Sequence, residues 1–118
     1  MNRQANNSHS LDRVLTPYLE LDGIDAAMLV STDGLLIAAA GTHEFDIEAL
    51  AAYSATALSA AIGLAEELET RLTGSVTLDL HSAHLTLAQL SADLFLILVG
   101  SHDGHRQHHD SGSGLPEA

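Results

Sequence analysis

Apolar residues recur along this chain with two periods, and the switches between them divide it into elements. Leu11, Val14, Leu15, Tyr18 and Leu19 follow the i, i+3, i+4, i+7, i+8 stripe of an amphipathic helix, with Ser10 placed to cap it. Pro17 falls inside that stripe, so the helix is expected to kink or to restart with Thr16 as its cap. Two unbroken apolar runs follow, Ala26 to Val30 and Leu35 to Ala40, and Ser31-Thr32-Asp33-Gly34 between them supplies an Asp-Gly pair suited to positive φ. This predicts a β-hairpin. Asp46 then caps a stretch to Leu68 that has no Pro and no Gly before Gly63, with Ile47, Leu50, Leu58, Ile62 and Leu68 marking an apolar face. It predicts a helix of roughly six turns. Three strand candidates close the pattern, Ser75 to Leu80, His84 to Gln89 and Asp93 to Val99, and their short connections point to an antiparallel meander.

The strands fall into two kinds. Val76, Leu78 and Leu80 alternate with Thr77 and Asp79, and Leu85 and Leu87 alternate with His84 and Thr86, so each of these strands should bury one face and wet the other. The runs Ala26 to Val30, Leu35 to Ala40 and Leu94 to Val99 are apolar at consecutive positions and should be covered on both sides. Residues 1–9 and 101–118 are polar, the latter rich in Gly, Ser and His, and both are expected to be flexible, leaving one domain over 10–100.

This order, the hairpin sequence Ala26-Ala-Met-Leu-Val-Ser-Thr-Asp-Gly-Leu-Leu-Ile-Ala, the acidic start of an Ala-rich helix at Asp46 and the strand Asp93-Leu-Phe-Leu-Ile-Leu-Val together resemble the roadblock/dynein light-chain family. Within it, bacterial MglB-type regulators of small Ras-like GTPases are the most similar. The resemblance implies an α+β fold over about residues 11–99, with a five-stranded antiparallel sheet in the order 2-1-5-4-3, the long helix on one face and the N-terminal helix on the other. That order places the three doubly apolar strands side by side. Family members commonly add a third helix after the last strand, but Gly100-Ser-His-Asp-Gly-His does not suit one, so the C-terminal helix is expected to be missing. The face bearing Thr77, Asp79, His81, His84 and Thr86 would then be open to water.

Charge narrows the choice of partners. Sixteen acidic residues against four Arg give a formal charge of -12 over 118 residues, which repels a phosphate backbone or an anionic lipid surface. Neither nucleic acid nor membrane is an expected partner. Residues 1–10 carry no apolar segment of a signal sequence, and runs such as Leu94 to Val99 are too short to span a bilayer, so a soluble, cytoplasmic protein is expected. The absence of Cys removes thiolate nucleophiles, disulfides and Cys-based zinc sites.

The long helix is built from small residues, yet from Ala49 to Ala65 it holds no charge at all. Ala is a strong helix former and could simply fill solvent positions. An exposed helix face, however, ordinarily carries Glu, Lys and Arg, so this span asks for a second partner besides the sheet. The family resemblance supplies one, because such helices pack antiparallel across a twofold axis while the third strand pairs with its symmetry mate. On that basis Ala51, Ser54, Ala55, Leu58, Ser59, Ile62, Val76 and Leu78 are expected at a homodimer interface, with Glu66, Glu67 and Arg71 at the helix end as candidate client contacts.

Candidates for chemistry are few. His102, His105, His108 and His109 with Asp103 and Asp110 have metal-ligand chemistry but sit in a Gly- and Ser-rich segment, and Asp79, His81 and His84 read more simply as a solvated strand face. The sequence has no G-x-S-x-G, H-E-x-x-H or P-loop motif. No catalytic residue, cofactor or structural metal is expected. The resemblance implies a homodimeric adaptor that binds and regulates a small Ras-like GTPase, with activation of GTP hydrolysis as one form such regulation could take. The alternative is a dimeric scaffold for another signalling or cytoskeletal client, without effect on GTP hydrolysis.

Overall fold

The computed structural model describes residues 13–41 and 44–101. The polar ends at 1–12 and 102–118, the histidine cluster and the place of any third helix lie outside the described residues. Helix α1 is described over 13–19, strands β1 and β2 span Ala26–Ser31 and Leu36–Gly41, helix α2 spans Ile47–Glu67, and strands β3, β4 and β5 span Ser75–Asp79, Ala83–Gln89 and Leu94–Ser101. All five strands pair antiparallel in the order β2-β1-β5-β4-β3. Fold class and strand order match the sequence expectation.

Three details differ from it. Helix α1 runs unbroken through Pro17, so the chain does not restart at Thr16. Ser101 closes β5 opposite Ala83 and belongs to the sheet rather than to the tail. Register also slips once in the first hairpin, where Leu29 faces Ala38 but Val30 faces Leu36, leaving Ile37 as the extra residue of a bulge. A bulge bends an edge strand and blunts it against further pairing. The other edge, β3, runs in unbroken register with β4 from Ser75 to Asp79.

Burial follows the two kinds of strand. On the α2 side, Met28, Val30, Phe95, Ile97 and Leu87 form one cluster with Ala51, Ala55 and Leu58 of the helix. On the α1 side, Leu15 packs with Ala27, Leu29, Ala38 and Leu96. Strand β1 is accordingly buried at every position from Ala26 to Val30, whereas β3 alternates exposed and half-buried residues. Gly41 makes the turn out of β2 at φ +100, and a side chain there would meet the Asp25 carbonyl, Ala26 Cα at 2.9 Å and Leu19 Cδ2 at 2.9 Å. Only Gly lets the end of α1 close over the first hairpin.

Helix α2 has caps at both ends. Asp46 Oδ1 accepts from the Glu48 and Ala49 amides, each at 3.1 Å, satisfying two of the orphan donors of the first turn. At the other end the Thr70 amide donates to Ala65 O at 2.8 Å and the Glu69 amide to Glu66 O at 3.0 Å, the paired bonds of a Schellman stop. Glu69 takes the left-handed position of that motif, at φ 60, where Gly is usual. By length and composition α2 could also cross a bilayer, the one such helix among the described residues. Counting unbroken apolar runs passes over it, because Ser54, Thr56 and Ser59 interrupt the pattern.

Candidate interaction site

One stripe of α2 faces its own sheet. Ala51, Ser54, Ala55, Leu58 and Ala65 are its buried residues, and Ile47, Leu50 and Ile62 pack partly buried beside them. Of the expected dimer set, Ala51, Ser54, Ala55 and Leu58 are thus buried within the protomer, packed toward its own core. Ser59 is exposed and Ile62 half-buried. The apolar face expected from Ile47, Leu50, Leu58 and Ile62 does meet the sheet, whereas Leu68, expected with them, is exposed.

The surface that α2 presents outward is a second stripe. Tyr53, Ala57, Ala60, Leu64 and Leu68 recur at intervals of three and four, so they line one flank at about 100° per residue. Tyr53 is 76% exposed, Leu64 65% and Leu68 74%, large apolar areas on a helix that carries no charge from Ala49 to Ala65. The signal in the sequence was the spacing of Tyr53, Leu64 and Leu68. Val76 and Leu78 project from β3 on the same side of the sheet and are half-buried against the core. Between this strand, the helix and the linker lies a cavity of about 260 Å³ whose lining includes Leu58, Leu72, Val76, Leu87 and Leu90. At this cavity α2 and β3 meet through Leu58 and Val76.

The opposite flank is closed by the first hairpin. Ser31 O accepts from the Gly34 amide at 2.8 Å, and Gly34, at φ +94, lies so near the helix that a side chain would meet Ala52 Cα at 3.4 Å and Ala55 Cβ at 3.6 Å. The close approach leaves a groove of about 410 Å³ along Ala52, Thr56 and Ser59.

Glu66, Glu67 and Arg71 are all exposed at the carboxyl end of α2, where no basic residue stands in the last turn to oppose the helix dipole. On the far sheet face Thr77, Asp79 and His81 are exposed, with Asp79 directly across from His84. Among the described residues no three His, Asp or Glu side chains converge as a metal site would require.

Comparison with known proteins agrees with this architecture. The family model described as the Roadblock/LC7 domain matches residues 11–100. Among solved structures, one described as MglB with tetrameric arrangement superposes with a TM-score of 0.73 at 18% identity, covering 92% of this chain and 85% of that one. The gliding protein MglB of Thermus thermophilus gives 0.70 at 18% identity, covering 87% of this chain and 82% of that one. A Roadblock/LC7 domain of Streptomyces avermitilis gives 0.70 at 17% identity, with 89% and 94% covered. At such identities these likenesses show the fold. No curated protein sequence matches the chain.

Proposed function

The chain belongs to the Roadblock/LC7 family, and from that premise we propose that it is a homodimeric adaptor that binds and regulates a small Ras-like GTPase. The observation that carries the dimer is the second stripe of α2, with Tyr53, Leu64 and Leu68 exposed on an uncharged helix in a chain of net charge -12. Large apolar side chains clustered on one flank, an aromatic among them, have the composition of an interface rather than of a solvated face. A twofold arrangement would lay this flank against its symmetry mate and pair β3 with β3 of the second copy. Of the two edges, β3 is the one without a bulge, so it accepts another strand with less rearrangement.

The GTPase is supported by the likeness of the fold to MglB structures and by the resemblance of the hairpin and helix sequences to that type of regulator. The adaptor would act in the cytoplasm without catalytic residues or a cofactor of its own. Its contact with the client would use the end of α2, where Glu66, Glu67 and Arg71 are exposed. Regulation would proceed through the GTPase's own residues: a trans-acting arginine finger needs an exposed, positioned Arg, and among the described residues only Arg13 and Arg71 are available. Arg71→Ala should weaken binding but leave the turnover of the bound GTPase unchanged, and a lost turnover would make Arg71 a finger.

The test has two stages. Light scattering should give twice the protomer mass for the native chain and the protomer mass for Leu64→Arg; a native monomer overturns the dimer. Recovery of a small GTPase on the native chain, followed by a hydrolysis assay, then separates regulator from scaffold. A bound GTPase whose turnover does not change would replace the regulatory reading with the scaffold.

A further inference from the structure

The groove between the first hairpin and α2 is lined by Thr32, Asp33, Ala52, Thr56, Ser59 and Ala60. Two of its hydroxyls share one property. Thr56 Oγ1 donates its hydrogen to Ala52 O at 3.2 Å and Thr32 Oγ1 donates to Ala92 O at 3.4 Å, so each turns only lone pairs toward a visitor. The Asp33 carboxylate is acceptor-only when ionised. Ser59 adds an exposed hydroxyl. The helix amides that might have donated are engaged inside α2. A space furnished with acceptors and one negative charge, and floored by the methyl groups of Ala52 and Ala60, is complementary to a group that only donates, carries positive charge and has an aliphatic stem. The side chains of that description are Lys and Arg, and the planar guanidinium, with five donors in a fixed fork, can bridge a carboxylate and two hydroxyls at once.

We propose that this groove receives an arginine side chain from a client protein, with Asp33 as its charge partner and the Thr56 and Ser59 oxygens as further acceptors. The net charge of -12 draws a basic segment toward the chain, and the groove gives that segment a place to lodge. Gly34 holds the hairpin wall in position at φ +94, so the groove does not have to form on binding. It borders the stripe of Tyr53 and Leu64 and shares Ala60 with it, its remaining lining residues lying outside that stripe. The inference draws on none of Tyr53, Leu64 and Leu68, the residues that carry the assembly proposed above.

The probe is the tripeptide acetyl-Gly-Arg-Gly-amide, titrated into the full-length chain and followed by amide chemical shifts, with the neutral citrulline peptide as its control. Shifts should gather at Thr32, Asp33, Ala52, Thr56 and Ser59 with the arginine peptide and be absent with citrulline. Asp33→Asn should weaken the arginine peptide about two- to fivefold, the range of an exposed ion pair, while Glu20→Gln, at an exposed carboxylate on the α1 side, leaves it unchanged. Amide shifts elsewhere in the Asp33→Asn spectrum establish that the variant is folded. Shifts spread over many carboxylates, equal binding of the citrulline peptide, or indifference to Asp33→Asn would each overturn the proposal.

Discussion

Leu58 offers the sharpest separation of core from interface, because its place on α2 suggested an interface and its environment is the core. It is 2% exposed, within the cluster that holds Met28, Val30, Phe95 and Ile97. Truncation to Ala removes three carbon atoms and leaves a hole, which in buried positions costs about 2.7–5 kcal/mol according to how far the surroundings can collapse. The cavity of about 260 Å³ beside Leu58 gives Leu72 and Leu87 room to move, which sets the expected loss near the lower end, about 3 kcal/mol. For a domain of this size each kcal/mol lowers the Tm by about 4 °C, so Leu58→Ala should melt about 12 °C early. Leu64→Arg, at a residue 65% exposed, should cost the protomer less than about 0.5 kcal/mol while removing the dimer. Since self-association raises the apparent Tm in a concentration-dependent way, Leu58→Ala is best melted in the Leu64→Arg background, by circular dichroism at two concentrations. A shift below about 3 °C in that background, with loss of dimer mass when Leu58→Ala is made alone, would place Leu58 in the interface and refute the assignment of faces.

Three further substitutions probe the supports of the site. Asp46→Ala removes the acceptor for two amides at 3.1 Å and should cost about 1 kcal/mol in urea unfolding; an unchanged midpoint would mean that solvent satisfies the first turn equally well. Gly41→Ala places a methyl group against the Asp25 carbonyl and Ala26 Cα in a left-handed backbone, with an expected loss of about 2–4 kcal/mol, and a loss below about 1 kcal/mol would show that the turn has another conformation. Glu69→Gly should instead stabilise by about 0.5–1 kcal/mol, because it relieves the left-handed residue at φ 60 and removes a carboxylate from the negative end of the helix. A destabilised Glu69→Gly would argue that the Schellman stop does not persist in solution.

How much of this was legible in the sequence depends on which physical signals were local. The hairpin, the Asp46 cap of α2 and the contrast between doubly and singly covered strands were all readable, because turn chemistry, capping and period-two alternation are written within a few residues of where they act. The bulge at Ile37 was not, since Leu36 to Ala40 is apolar throughout and a slip of one residue leaves no change in pattern. The large residues gave the phase of α2, since Ile47, Leu50, Leu58 and Ile62 do pack on the core, but not the character of its flanks. With Ala at 49, 51, 52, 55, 57, 60, 61 and 65, small residues occur on every flank, and the approach of Gly34 to Ala52 on one of them leaves no mark in the pattern. The groove beside Asp33 depends on that contact and on hydroxyl hydrogens directed to carbonyls along the helix and across the sheet.

If two copies pair as proposed, the charge of the chain also accounts for a second stripe of α2 free of ionised groups. Bringing two copies of a molecule at -12 together raises their mutual repulsion, and an interface holding further carboxylates would have to desolvate them without cations to pair them. Only four Arg exist in the whole chain, so complementary ion pairs cannot do the matching. What remains is apolar contact between side chains such as Tyr53, Leu64 and Leu68 together with backbone pairing at the β3 edge, neither of which needs a cation. The carboxylates Glu66, Glu67 and Glu69 begin where the uncharged span ends, so the repulsive groups are held at the rim, where water and salt screen them and where a basic client would meet them first.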